Sequence, residues 1–262
     1  MTWAAWQRYL AEFVGTFALL LFGGGAAVFT LGDAAFDPLS RVAVVSLAFG
    51  FILVALAYAF GDISGGHFNP AVTISMAVSR RMPALEVIPY LVAQVLGGLT
   101  GISVVAAIAS GSSALPPISQ SAALASQCYS GMGAPSGCGF SLGSVFLIEL
   151  ALTFVFVLVI QLVTRSDSSV KNLAPVAIGL TLLVTNLVAI PVDGASLNPV
   201  RSFSPAVISQ VWSGNGWALS ESWLFWVAPV LGGILAAIVE RSLRGGPSLS
   251  SPWLAPASPP RS

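Results

Sequence analysis

Asn69-Pro70 and Asn198-Pro199 each join a strong helix N-cap to the residue favoured at the first helical position. An asparagine whose side-chain oxygen caps its own helix keeps an NH2 group, which only donates hydrogen bonds. That chemistry recognises a small uncharged acceptor and makes no bond. Groups for bond-making are scarce. The 262 residues include one histidine, His67, and two cysteines, Cys128 and Cys138. No metal cluster, Ser-His pair or paired-carboxylate arrangement follows from them, so no enzyme activity, cofactor or metal is expected. The chemistry-bearing groups that remain are Glu12 and Glu149, which lie within apolar stretches, and Arg201, three residues after Asn198.

The elements that must position these residues are apolar. The chain is 56% hydrophobic and 8% charged with mean hydropathy +0.89, whereas a soluble domain is about a quarter charged. Stretches long enough to cross a bilayer, about 20 residues each, begin near Tyr9, Val42, Val87, Val145, Val176 and Trp223. With a cytoplasmic N-terminus and one crossing per stretch, Arg8, Arg80, Arg81, Arg165, Lys171, Arg241, Arg244 and Arg261 all fall inside. Only Arg41 and Arg201 fall outside. That positive-inside pattern predicts a multi-pass protein of the cell (plasma) membrane with both termini cytoplasmic. Net charge is zero without basic or acidic runs, so no nucleic-acid partner is indicated.

The stretch after Arg8 runs on too far for a signal-peptide core and reads as the first span. The uncharged segment 111–139 reads as an external loop holding Cys128 and Cys138, either as a disulfide or as two free thiols. The Pro- and Ser-rich 245–262 reads as a disordered cytoplasmic tail.

Three segments recur in the same order. Glu12 to Phe17 and Glu149 to Phe154 both read E-x-x-x-T-F; Gly65 to Pro70 and Gly194 to Pro199 both read G-x-x-x-N-P; Val95 to Gly98 matches Val230 to Gly233. The repeats are assigned to 1–110 and 140–244. Each holds three spans, an odd number, so the second repeat enters the membrane from the opposite side, and a shared site near the midplane is expected.

A helix from Pro70 to about Arg80 would be roughly 16 Å long, about half of a ~30 Å hydrocarbon core. Two such half-helices meeting tip to tip would point both positive dipole ends at one spot, repelling cations. A water accepting from the carboxamides of Asn69 and Asn198 could not also accept a proton from its neighbour. The irregular stretches before each asparagine, Ser64 to Phe68 and Asp193 to Leu197, would present backbone carbonyls, those of Gly65, Gly66, His67, Gly194 and Ser196, along a wet cavity.

SGGHFNPAVT (Ser64 to Thr73) and GASLNPVRSF (Gly194 to Phe203) resemble the paired Asn-Pro-Ala motifs of the major intrinsic proteins, the aquaporins and glycerol facilitators, over about Tyr9 to Arg241. The resemblance implies an all-α membrane fold of six transmembrane helices and two re-entrant half-helices, a homotetramer in the lipid bilayer, and one pore per subunit for water and other small neutral solutes. It places a selectivity filter on Phe49, Asn186, Ala195 and Arg201, with Arg and half-helix dipoles excluding protons and cations, a device known in such pores. It makes Glu12 and Glu149 structural acids that hold the pore loops, and puts His67 in the inner vestibule.

Two departures stand out. Asn186 occupies a position that is His in water-selective members and Gly in glycerol facilitators, which predicts a somewhat wider filter. Val200 replaces the motif's Ala and is expected to alter packing between the half-helices. Ser202, Ala206 and the Phe225-Trp226 pair favour a water channel over a glycerol facilitator. A secondary transporter, which can also carry inverted repeats, is disfavoured because the two repeat-related glutamates read as the only mid-span carboxylates.

Overall fold

The computed structural model describes residues 3–30, 36–113, 115, 124–130, 138–214 and 216–244. The expected tail at 245–262 lies outside them, as do 116–123 and 131–137 of the expected external loop. Six helices are long and apolar enough to cross a membrane. They are α1 (Ala5–Phe29), α2 (Pro38–Ser64), α4 (Val87–Ser110), α5 (Leu142–Val163), α6 (Ala174–Asp193) and α8 (Trp217–Arg244). Two shorter helices, α3 (Pro70–Val78) and α7 (Pro199–Ser213), follow the Asn-Pro pairs. No strand occurs among the described residues.

Local chemistry sets the helix ends. Asp37 caps α2 by accepting from the Ser40 N–H at 2.8 Å, ahead of Pro38 at the first position. That bond holds the Asp37 carboxyl below its ordinary value. α2 and α6 stop at Gly65 (φ +92°) and Gly194 (φ +93°), left-handed positions where a side chain would be strained. α3 ends at Val78, sooner than the Arg80 expected from sequence, because the chain turns back at Arg80 (φ +60°) and the Arg81 N–H bonds the Met76 carbonyl at 2.8 Å. The Arg81 guanidinium is then spent on the far end of α5, donating to Gln161 and Thr164 at 2.8–3.0 Å.

The two halves pack alike. α1 lies on α4 as α5 lies on α8. Gly97 of α4 meets the Phe13 carbonyl of α1, and Gly232 of α8 meets the Leu150 carbonyl of α5, so a Cβ at either glycine would strike backbone. Small residues of this kind let helix backbones approach closely where lipid removes the hydrophobic drive to associate. α3 packs more on α8 of the other half than on α4 of its own, and α7 packs on α4 and α8 alike. Buried between the halves are Leu19, Leu20, Phe49, Phe68, Phe156 and Leu197.

Candidate functional site: a narrow cavity between two helix tips

The Asn-Pro pairs cap as their residue types dictate. Asn69 Oδ1 accepts from the Ala71 N–H at 2.8 Å, and Asn198 Oδ1 accepts from the Val200 N–H at 3.1 Å. Each NH2 group is partly occupied. Asn69 Nδ2 donates to the Leu197 carbonyl at 2.8 Å, and Asn198 Nδ2 donates to the Phe68 carbonyl at 2.9 Å. The expectation of wholly free carboxamides is therefore corrected: each spends one hydrogen on the opposite loop and keeps one. The cause is the close approach of the loops, where Phe68 (φ +47°) and Leu197 (φ +53°) take left-handed backbone just before the caps.

Two buried acids shape those loops. Glu12 Oε1 accepts from Ser64 Oγ at 2.7 Å and the His67 N–H at 3.0 Å; Oε2 accepts from the Phe68 N–H and from Gln94 Nε2, both at 2.7 Å. Glu149 accepts from the Ser196 and Leu197 N–H groups at 2.7 and 2.8 Å. Charge-assisted bonds of this kind are about twice as strong as neutral ones. With its N–H groups turned onto an acid, each loop turns carbonyls the other way.

Asp193 occupies in the second half the place of Ser64 in the first. Ser64 Oγ accepts from the Gly66 N–H at 3.1 Å and donates to Glu12; Asp193 Oδ1 accepts from the Ala195 N–H at 2.8 Å. No N–H or O–H donor reaches Asp193 Oδ2. Further carboxyls are buried toward the ends of spans, beyond the two mid-span acids expected from sequence. Asp193 is buried at the end of α6, and Glu221 and Glu240 are buried in α8. Their roles are structural where bonds are seen: Glu221 accepts from the Tyr129 N–H at 3.0 Å.

Two cavities run from these loops. The wider, about 760 Å³, is lined by Gly65, Gly66 and His67 together with Arg8, Arg81 and Lys171. The narrower, about 20 Å³, is lined by His67, Asn69, Asn198, Phe49, Asn186 and Arg201, among others. That volume is room for about one water. His67 lines both cavities, and its Nδ1 lies 3.1 Å from Thr73 Oγ1.

At the far end of the narrow cavity the Arg201 guanidinium, buried and 5.2 Å from the Phe49 ring centroid, donates to the Ala125 carbonyl at 3.0 Å and the Gly194 carbonyl at 3.4 Å. It has no ion-pair partner among the described residues, whose salt bridges are Arg8–Glu86 and Arg165–Asp167. Asn186 donates its Nδ2 to the Leu182 carbonyl of its own helix at 2.8 Å, which leaves Oδ1 as an acceptor. Of the expected filter, Phe49, Asn186 and Arg201 meet around the cavity. Ala195 is not among the residues lining it, and the Gly194 carbonyl accepts from Arg201 and, at 3.3 Å, from Gln127. Ser196 does line it.

Cys128 and Cys138 are joined as a disulfide beside this end. Sequence reading passed over Gln94, Gln127 and Asp193. Gln94 was findable as a polar residue inside an apolar span, and Asp193 by setting the second Asn-Pro loop against the first, where it falls opposite Ser64. Gln127 gave no local signal.

A sequence profile of the family described as "Major intrinsic protein" matches residues 1–240. The chain is 40% identical over 243 residues to an Aquaporin Z of Rhodopseudomonas palustris, covering 92% of this chain and 95% of that one. It is 42% identical over 238 residues to an Aquaporin Z of Photorhabdus laumondii, covering 90% and 97%. The solved aquaglyceroporin of Plasmodium falciparum superposes with TM-score 0.74 at 21% identity, over 92% of this chain and 95% of that one, a likeness of fold.

Proposed function

This chain belongs to the major intrinsic protein family, and on that premise we propose that it is a passive water channel which excludes protons and ions. The observation that carries the reading is the meeting of two helix N-termini at a cavity of about 20 Å³ lined by both capping asparagines and by Arg201. Its relatives' names, Aquaporin Z, support the same solute.

Water arriving between the tips is held by the one carboxamide hydrogen that Asn69 and Asn198 each retain. Donation from both sides occupies the water's lone pairs, so its own hydrogens point along the pore and it cannot accept a proton from the next water. The helix N-termini add partial positive charge at the same spot, which opposes hydronium and metal cations alike. Arg201 repeats that opposition at the filter, where the low-dielectric wall of Phe49 strengthens it. Anions meet the Asn186 oxygen instead.

The reading extends to a homotetramer in the plasma membrane with one pore in each subunit, both termini cytoplasmic, and repeats 1–110 and 140–244 inverted about the midplane. Arg8, Arg81 and Lys171 around the wider cavity support its assignment as the cytoplasmic mouth. Asn186 favours some breadth: it is shorter than histidine and bears no charge, so small neutral solutes such as ammonia enter more readily than in a stricter filter, with glycerol facilitation the alternative within the family.

The test is osmotic shrinkage of proteoliposomes, read side by side for water, glycerol and ammonia, with a pH-sensitive dye inside. Fast water flux, linear in the osmotic gradient, with slow glycerol entry and no proton leak is expected. Glycerol moving as fast as water would assign the chain to the facilitators, and saturable flux would assign it to a carrier.

A further inference from the structure

Gln127 and Arg201 draw on the same two carbonyls. Ala125 O accepts from Arg201 Nη1 at 3.0 Å and from Gln127 Nε2 at 3.2 Å; Gly194 O accepts from Arg201 Nη2 at 3.4 Å and from Gln127 Nε2 at 3.3 Å. Gln127 is 1% exposed, behind the Arg201 guanidinium that lines the narrow cavity. Neither carbonyl belongs to a helix. Their positions are set by whatever holds residues 124–128 against the loop before Asn198.

Three restraints hold that segment. Upstream, Leu124 is buried among Val28, Ile102, Val105 and Ala106. In the middle, the Cys128 N–H donates to the Asp193 carbonyl at 3.1 Å, one residue before Gly194. Downstream, Cys128 is bonded to Cys138, the Tyr129 N–H donates to Glu221 of α8, and the Ser130 N–H donates to the Phe140 carbonyl at 2.7 Å. Leu124 and Ala125 both hold left-handed backbone (φ +54° and +59°), which residues with a side chain adopt only when their surroundings impose it. The segment is a strap pinned at both ends, with the Ala125 carbonyl between the pins.

We propose that Gln127, on a strap fastened by the Cys128–Cys138 disulfide, is a positioning residue that sets the channel's solute specificity by fixing the Arg201 guanidinium across the filter. The proposal rests on the reading of Arg201 as a filter residue. Gln127 does not touch the permeating solute; it keeps the two carbonyls at the spacing that both guanidinium nitrogens require. With the strap loosened, Arg201 loses its fixed acceptors and swings away from Phe49. Single-file water is then little affected, while a bulkier neutral solute gains room.

The full-length protein in proteoliposomes tests this through the ratio of glycerol to water permeability, measured for the unaltered chain, Gln127→Ala, Arg201→Ala, and the unaltered chain after a membrane-impermeant phosphine reductant. Cys128 and Cys138 are the chain's two cysteines, so labelling of two thiols per chain reports complete reduction and confirms an intact disulfide beforehand. Both Gln127→Ala and reduction are expected to raise the ratio by roughly three- to tenfold, the factor corresponding to loss of one ordinary hydrogen bond. Reoxidation is expected to return it to its starting value, which damage to the fold would not allow. If Arg201→Ala raises the ratio while Gln127→Ala and full reduction leave it unchanged, the strap has no such role. If Arg201→Ala itself leaves it unchanged, the filter reading and this proposal both fall.

Discussion

Asn69 and Asn198 are tied by reciprocal bonds, each donating its side-chain amide to the carbonyl just before the other, at 2.8 and 2.9 Å. The tie spans more than a hundred residues of sequence and joins the tips of α3 and α7. Asn198→Asp keeps a competent N-cap but removes the donor and puts negative charge where two helix dipoles converge. Water permeability is expected to fall and cation leak to appear, read as dissipation of an imposed sodium or pH gradient. A tight vesicle with unchanged water flux would show that the donor is dispensable.

Arg201 loses no ion pair when removed, because it has none among the described residues. Arg201→Ala is expected to preserve folding, raise entry of charged and larger solutes, and leave water flux at least as fast. Stopped-flow assays with water and a small cation such as methylammonium distinguish these. Exclusion that stays intact would move the filter to another part of the pore.

Asn186 tests the width of the same opening. Asn186→His restores bulk and a ring N–H, and the glycerol-to-water ratio is expected to drop; Asn186→Gly is expected to raise it. A flat series across the three residues would mean that this wall does not limit passage.

Glu149 and Asp193 divide the structural load in the second half. Glu149→Gln replaces an acceptor-only group with one that turns an NH2 toward the Ser196 or Leu197 N–H. The cost expected is about 1–3 kcal/mol for the donor left unsatisfied, seen as a lower midpoint of thermal unfolding in detergent. Asp193→Ser copies the Ser64 arrangement and is expected to be tolerated. Equal losses for both variants would contradict the equivalence of the two loops.

Val200 stands against Gly98 of α4, in the space a Cβ at that glycine would need. Gly98→Ala is therefore expected to destabilise, and Val200→Ala to relieve part of that loss in the double variant, since Ser204 Oγ crowds the same space. Val200→Ala alone removes two methyl groups, about 1.5 kcal/mol of burial. A double-mutant cycle on unfolding midpoints reads the coupling, and simple additivity would remove the contact from the account.

The spans and half-helix starts could be read from the sequence because their signals are local: apolar length, and an N-cap beside proline. Glu12 and Glu149 stood out as acids in apolar surroundings. Three features were out of reach. α1 carries a π-helical turn at Leu20–Gly24, and Gly23 there leaves the space into which the Phe49 ring extends; the partner that needs this space lies on another helix. The carboxamide hydrogens of Asn69 and Asn198 went to opposite loops, a contact that depends on how near the two tips come. Gln127 holds Arg201 only through backbone carbonyls, which have no residue type to betray them.

The seating of the half-helices bears on how the chain is made. α3 rests more heavily on α8, the last of the described helices, than on α4 of its own repeat, so until α8 is made the re-entrant segment has only part of its packing. Until Trp217–Arg244 arrives, Glu12 and Gln94 of the first repeat can already hold the loop before Asn69, but the face of α3 that α8 covers stays open. The C-terminal span is then expected to complete the helix bundle, and a chain cut short of it to leave α3 without that cover.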